Sequence, residues 1–104
     1  MRVNGKVLVS KAEVIEGSHK AHAWSDTCLV RIPVQFDVEP TDGLVSKAAE
    51  AFRNSKWLRE RHSSWGALRW LQGRFLKEVK VYREADGRIT DVEFIVEESW
   101  GIAD

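Results

Sequence analysis

Apolar and polar residues alternate most regularly between residues 29 and 39. One parity is apolar, at Val30, Ile32, Val34, Phe36 and Val38, and the other is mainly polar. Because successive side chains of a strand point to opposite faces, this stretch is predicted to be a strand with one buried face. Pro33 falls on the polar parity and cannot donate a ladder hydrogen bond, which favours an edge strand or a bulge. An exposed sheet edge is therefore expected here.

Three other stretches have the same period. Residues 6–15 are rich in valine and predict a partner strand, although the parity slips midway, as it would at a bulge. Residues 75–83 and 89–97 predict two more strands, and Asp86-Gly87 between them is a favoured type I′ hairpin pair. The apolar positions are Phe75, Val79 and Val81 in the first of these strands and Val92, Phe94 and Val96 in the second.

The middle of the chain changes to helical spacing after a break at residues 40–43. Thr41 or Asp42 can cap a helix there, since either side-chain oxygen can accept hydrogen bonds from the free amides of the first turn. The apolar face of the predicted helix consists of Leu44, Val45, Ala48, Ala49 and Phe52. This pattern predicts a half-buried helix.

Shorter helical pieces are expected to follow. Asn54-Ser55 interrupts the spacing, a second piece is predicted over residues 56–62, and a third over residues 65–72 ends at Gly73. The predicted order is therefore ββα(α)ββ. It folds most simply as an antiparallel sheet of about four strands with the helices packed on one face, an α+β fold. With 104 residues and no linker, residues 1–104 are expected to form a single domain.

Composition indicates where such a domain would reside. About 43% of the residues are apolar and 31% are charged, which predicts a packed interior under a solvated surface. The sequence contains no apolar run of about 18 residues and no export signal at its start. Its single cysteine, Cys28, can form no internal disulfide. We therefore expect a soluble protein of the reducing cytoplasm with no membrane partner.

Charge is balanced overall but distributed unevenly. Residues 47–83 carry ten basic and three acidic side chains, and residues 84–104 carry one basic and seven acidic. Because guanidinium groups bind phosphate and indole rings stack on bases, the basic segment is a candidate nucleic-acid surface. Its candidate residues are Lys56, Trp57, Arg59, Arg61, Trp65, Arg69 and Arg74. Cation-π pairs four residues apart within a helix, or contacts with the acidic tail, explain the same composition without a ligand.

The expected sheet edge is a second candidate surface. An edge strand can pair with another chain, and exposed tryptophans often anchor protein interfaces. Trp24 and Trp100 lie outside the predicted elements, where they either cover a margin of the core or contact a partner. The candidate interface residues are Trp24, Arg31, Pro33, Gln35 and Trp100.

A third candidate is the segment that holds His19, His22 and Cys28. Imidazole and thiolate are the usual zinc ligands, and an imidazole could also activate the thiol as a nucleophile. However, the sequence lacks the paired Cys-x-x-Cys spacing of familiar zinc sites. Its glycines are scattered singly, so no nucleotide cofactor is expected. The ordinary interpretation is a polar loop whose cysteine enters the next strand as a small apolar residue.

These observations favour a small non-enzymatic interaction or regulatory protein, a homodimer acting through a sheet edge and exposed aromatics. No set of residues supplies a nucleophile, a base and an anion stabiliser together. Binding of nucleic acid through residues 47–83 is the alternative, and a metal- or thiol-dependent enzyme is the second alternative. No cofactor is expected, and no family motif matches residue by residue.

Overall fold

The computed structural model describes residues 5–60, 63–64 and 69–102, with side chains for residues 5–60 and 70–101. Seven strands and two α-helices follow one another along the described chain. They are β1 (Gly5–Val7), β2 (Glu13–Val14), β3 (Lys20–Ala21), β4 (Ser25–Phe36), α1 (Asp42–Arg53), α2 (Lys56–Arg59), β5 (Ser63–Ser64), β6 (Arg69–Arg83) and β7 (Ile89–Ile102). A 3-10 turn, Val9–Lys11, separates β1 from β2. Of these helices, none is long and apolar enough to cross a lipid bilayer.

All strands belong to one antiparallel sheet in the order β1-β4-β7-β6-β5. The short strands β2 and β3 also pair with β4, on the side that β1 occupies. Three long strands therefore form the body of the sheet, and three short segments line the outer side of β4. The helices pack on one face, which confirms the predicted α+β class.

The core lies between α1 and the central strands. Ile32, Phe94 and Val96 are fully buried on the helix-covered face of β4 and β7. The ring of Phe52 on α1 lies 5.3 Å from that of Phe94, centroid to centroid. The predicted apolar parities are thus confirmed for β7 and for residues 30–34 of β4, which form the floor of the core. Phe36 packs at its margin, and Val38 lies beyond the end of β4 and is exposed.

Helix α1 begins and ends where the sequence predicted. The Thr41 hydroxyl accepts a hydrogen bond from the Leu44 amide at 3.2 Å, so Thr41 is the N-cap. The chain leaves the helix at Asn54 and restarts at Lys56 as α2, which confirms the interruption. Helix α2 ends at Arg59, earlier than expected.

The prediction that Pro33 marks a sheet edge is wrong. Strand β4 lies inside the sheet, between β7 and the short strands β1 to β3. The Pro33 carbonyl accepts a hydrogen bond from the Leu8 amide at 3.0 Å. In an antiparallel ladder the nitrogen and the carbonyl of one residue point toward the same neighbouring strand, so the Pro33 nitrogen also faces β1. There the 3-10 turn Val9–Lys11 interrupts the neighbouring strand. The missing donor of Pro33 therefore faces a break in the ladder.

Two predictions for β6 are wrong. Residues 69–72, assigned to a third helix, belong to β6, and residues 69–71 pair with the end of β7. Residues 65–68 lie outside the described part of the chain. Phe75 does not share a face with Val79. The register shifts between Leu76 and Glu78, and a bulge of one residue moves every following side chain to the other face.

The β6–β7 hairpin turns at the predicted place but in another way. The Glu84 amide donates to the Arg88 carbonyl at 2.8 Å, and the Gly87 amide donates to the Glu84 carbonyl at 2.9 Å. Three residues therefore form the loop, with Gly87 at a φ of 90°. The predicted two-residue turn is wrong. Strand β7 also runs past its predicted end and includes Trp100.

Candidate interaction surface

A long sheet edge lies on β6. Among the residues that the structure describes, β6 pairs on the side away from β7 with β5 alone, at residues 69 and 70. Within the described residues, no strand pairs with residues 71–83 on that side, and we call this stretch the β6 outer edge. Long edge strands are templates for pairing with another chain. The edge predicted for β4 is thus found at the opposite side of the sheet.

Alternation of the ladder identifies the β6 amides that point outward. Because the backbone groups of Pro33 face β1, those of its β7 partner Glu93 face β6, and those of Lys80 face back to β7. Residues on either side of Lys80 therefore have outward-facing backbone groups, and these are Val79 and Val81. Beyond the bulge between Leu76 and Glu78 the alternation is shifted by one residue, so the next outward residues are Leu76 and Arg74.

Exposed aromatic residues lie on the face of the sheet opposite the helices, which we call the open face. Three aromatic residues of β6 lie on the open face, as do the β7 residues with which they pair. The pairs are Trp70 with Gly101, Phe75 with Glu97, and Tyr82 with Asp91. The exposed fractions of the three aromatic residues are 40%, 53% and 43%, so each retains surface for a partner. All three belong to β6, and they span roughly 35 Å of strand.

A close packing contact holds Trp70 at one end of this row. A Cβ atom added at Gly101 would lie 2.2 Å from Cε2 of the Trp70 indole. Such a distance is too short for any side chain, so only glycine allows the indole to lie across β7 at this point. The position of Trp70 on the open face therefore depends on Gly101.

Tyr82 is fixed by a neighbouring carboxylate at the other end of the row. Its hydroxyl donates to Oε1 of Glu93 at 2.7 Å. This hydrogen bond, with some burial and the negative charge of Glu93, raises the pKa of Tyr82 above its ordinary value. The protonated phenol is the form that the bond requires.

Replacement of Glu93 by glutamine is expected to lower the pKa of Tyr82 toward the ordinary tyrosine value. A raised pKa in the folded state means that the contribution of this bond to stability is present at neutral pH and is lost as the pH rises through that pKa. Tyr82 is the only tyrosine in the chain, so alkaline titration of tyrosinate absorbance reports this residue alone. Identical titration curves for the two proteins would contradict the assignment.

Three of the predicted interface residues lie together on the open face of β4. Arg31, Pro33 and Gln35 are at alternate positions, and Arg31 and Pro33 line a cavity of about 370 Å³ with Tyr82 and Glu93. The Arg31 guanidinium lies 3.8 Å from the Glu93 carboxylate and 3.9 Å from that of Glu13. These residues belong to the same face as the aromatic row.

The two tryptophans predicted at the interface lie elsewhere. Trp24 is in a bend just before β4 and is 67% exposed. Trp100 is in β7 on the helix-covered face, half-buried, and its Nε1 donates to Oε1 of Glu98 at 3.5 Å. The structure therefore does not bring Trp24 and Trp100 together with the β4 residues.

A row of polar side chains crosses the helix-covered face beyond the apolar core. Register places Cys28, Glu98 and Arg74 side by side on β4, β7 and β6. Arg74 Nε donates to Oε2 of Glu98 at 2.8 Å, and the Cys28 thiol donates to Oε1 at 3.7 Å. The side chains of Arg74 and Glu98 are 9% and 11% exposed. This pair, which we call the Arg74–Glu98 pair, is internal to the domain.

Helix α2 closes over the Arg74–Glu98 pair. The Arg74 guanidinium lies 3.8 Å from the ring centroid of Trp57, donates to the Trp57 carbonyl at 2.9 Å and pairs with Glu60 at 3.2 Å. The ring of Trp57 stacks on Phe52, with centroids 5.9 Å apart. Arg74 therefore joins the helices to the sheet.

The proposed nucleic-acid residues do not share one helical face. Lys56 and Arg59 are exposed on α2, Arg69 begins β6, and Arg74 and Trp57 contact each other. Arg61 and Trp65 lie outside the described residues. Basic residues of β6 instead meet the acidic strand β7, as in the contact of Lys77 with Glu97 at 3.5 Å.

Two of the three candidate metal ligands contact different carboxylates. His19 Nε2 lies 2.7 Å from the Asp26 carboxylate, and the Cys28 thiol contacts Glu98. In the part of the chain that the structure describes, no three His, Cys, Asp or Glu side chains form a group that could hold a metal. His19, His22 and Cys28 are therefore not assembled into one site.

Two features of the structure, the β6 outer edge and the buried Glu98, had no strong signal in the sequence. The β6 outer edge could have been found only from the strand order, although the charged residues along it are typical of edge strands. Glu98 could be recognised as buried only by noting that it continues the apolar parity of Val92, Phe94 and Val96. No protein-family model, curated protein or solved structure significantly matches this chain.

Proposed function

We propose that this protein is a non-enzymatic interaction module that binds an extended protein segment by strand addition along the β6 outer edge. The observation that carries the proposal is the long unpaired side of β6 within the described residues. In such binding, backbone hydrogen bonds give affinity and side chains on alternate positions give specificity.

The side chains of β6 support this proposal. Phe75 and Tyr82 expose about half of their surface beside the edge, and large aromatics are enriched in protein interfaces. Charges and bulges protect edge strands from aggregation by pairing with unrelated strands. The β6 outer edge has both, in Lys77, Lys80 and the bulge near Lys77. The proposed partner is therefore a segment that matches a particular register. Cys28 is the single cysteine of the sequence and is buried, which suits a reducing compartment, and we place this activity in the cytoplasm.

Panning of phage-displayed random peptides against the full chain tests the proposal. We expect enriched peptides with alternating apolar residues whose affinity falls at least about tenfold in Val81→Pro, which removes an outward amide. Phe75→Ala is expected to weaken the same peptides, since it removes exposed aromatic surface from the same strand. Fluorescence anisotropy of the labelled peptides measures both effects.

Val14→Pro is the matched control. The Ile15 amide donates to Leu29 on β4, so the Val14 amide points outward at the opposite edge of the sheet. Peptide binding should be unchanged in this variant. The proposal fails if the chain neither enriches peptides nor pairs with itself, or if peptides bind Val81→Pro and Phe75→Ala as tightly as the wild type. Salt-sensitive binding of single-stranded oligonucleotides without any peptide binding would favour the basic segment instead.

A further inference from the structure

We infer that the segment bound at the β6 outer edge is the same edge of a second copy of this chain, in an antiparallel register that places Leu76 opposite Val79 of the other copy. This inference rests on the proposed strand-addition function.

The outward backbone groups of β6 select this register. In an antiparallel ladder, hydrogen-bonded pairs form between residues whose backbone groups both face the partner strand. Pairing Leu76 with Val79 also pairs Arg74 with Val81. All four outward residues of this segment then find outward partners in the other copy. Shifting the register by one or two residues leaves some of them without such a partner.

Side chains agree with the same register. Leu76, Val79 and Val81 are half-buried on the helix-covered face, so two-fold pairing brings apolar side chains together there. Phe75 is placed opposite Lys80 on the open face, to which both residues belong. This match depends on the bulge near Lys77. Because the bulge shifts the alternation of side chains by one residue, Leu76 before it and Val79 after it lie on the same face.

Charges complement one another at the centre of the pairing. Lys77 lies opposite Glu78 of the other copy, and the two-fold axis repeats this contact. Lys77 is half exposed and reaches toward the open face, where its Nζ contacts Glu97 at 3.5 Å. Glu78 pairs with Ile95 and belongs to the same face. Opposite charges on one face of a strand pair stabilise the pairing, and like charges oppose it.

Reciprocal charge changes test the inference on the full chain. The wild type is expected to be a dimer by size exclusion with light scattering. Lys77→Glu and Glu78→Lys should each raise the dimer dissociation constant at least about tenfold, since each creates two like-charge contacts. An equimolar mixture of the two variants should form a heterodimer, because every central contact then joins opposite charges.

Lys20→Glu is the control for net charge. Lys20 is exposed on β3, along the opposite edge of the sheet, and its replacement should leave the dimer unchanged. A monomeric wild type overturns the inference, and the peptide measurements then decide the strand-addition proposal separately. The register is overturned if neither charge variant weakens the dimer. It is also overturned if the mixture of the two variants forms no heterodimer.

Discussion

Replacing Phe94 with alanine is expected to lower the free energy of unfolding by about 3–5 kcal/mol. Phe94 is fully buried in the middle strand of the sheet, pairs with Ile32, and contacts the ring of Phe52 on α1. Its removal leaves a cavity between sheet and helix that neighbouring side chains fill only in part. A domain of this size is stabilised by only about 5–15 kcal/mol in total. Urea unfolding followed by tryptophan fluorescence measures the loss.

Phe75 provides a control of the same chemical change. It also lies in a long strand, but 53% of its surface is exposed on the open face. Phe75→Ala is expected to change the free energy of unfolding by less than about 1 kcal/mol, as for most surface positions. Equal losses in the two variants would show that Phe75 is in the core and that β6 lacks the bulge.

The contrast between these phenylalanines illustrates what the sequence could predict. Burial on one face gives a strand a period of two, so β4 and β7 were recognised from their alternation alone. Helix α1 was equally clear, because its apolar face and the Thr41 cap are local features. Phe75 was misplaced since the bulge has no distinct residue pattern in the sequence.

The other errors have a similar origin. Residues 69–72 have helical spacing as well as strand-forming residues, and their pairing with the distant end of β7 decided between the two structures. Pro33 was correctly recognised as unable to donate, but the break it faces is a 3-10 turn more than twenty residues earlier. Long-range pairing, which alternation does not encode, settled both cases.

Prediction of the candidate surface had the same limit. A sheet edge and exposed aromatics were expected, but the sequence alone does not give the strand order that decides which strand is the edge. Arg74 was expected to be exposed for phosphate, because an arginine among tryptophans reads as a binding surface. Its buried partner Glu98 lies 24 residues away, beyond any local pattern.

Replacing Arg74 with methionine is expected to lower the free energy of unfolding by about 3–5 kcal/mol, because it leaves the Glu98 carboxylate buried without its cation. The substitution also removes the donor to the Trp57 carbonyl and the charge above the Trp57 ring. Glu98→Leu should cost a similar amount, since Arg74 and the thiol of Cys28 both lose their acceptor. Urea denaturation measures each variant.

The double variant Arg74→Met/Glu98→Leu is expected to recover most of the loss. Apolar side chains of similar size can replace a buried ion pair with little or no cost, whereas an unpaired buried charge is strongly destabilising. A double-mutant cycle therefore gives a large coupling energy for two groups that hydrogen-bond at 2.8 Å. Additive losses in the two single variants would contradict a direct pair.

The exposed ion pair of Arg83 shows how a surface arginine responds to the same substitution, and the comparison tests whether Arg74 is structural or available to a ligand. Arg83 pairs with Asp42, and the two side chains are 42% and 77% exposed, so Arg83→Met should cost less than about 1 kcal/mol. If Arg74→Met costs no more than Arg83→Met, Arg74 is not committed to Glu98 and Trp57, and it is free to bind phosphate. A loss several times larger assigns Arg74 to the attachment of the helices. In that case the β6 outer edge and the open-face aromatics remain the surface for a partner.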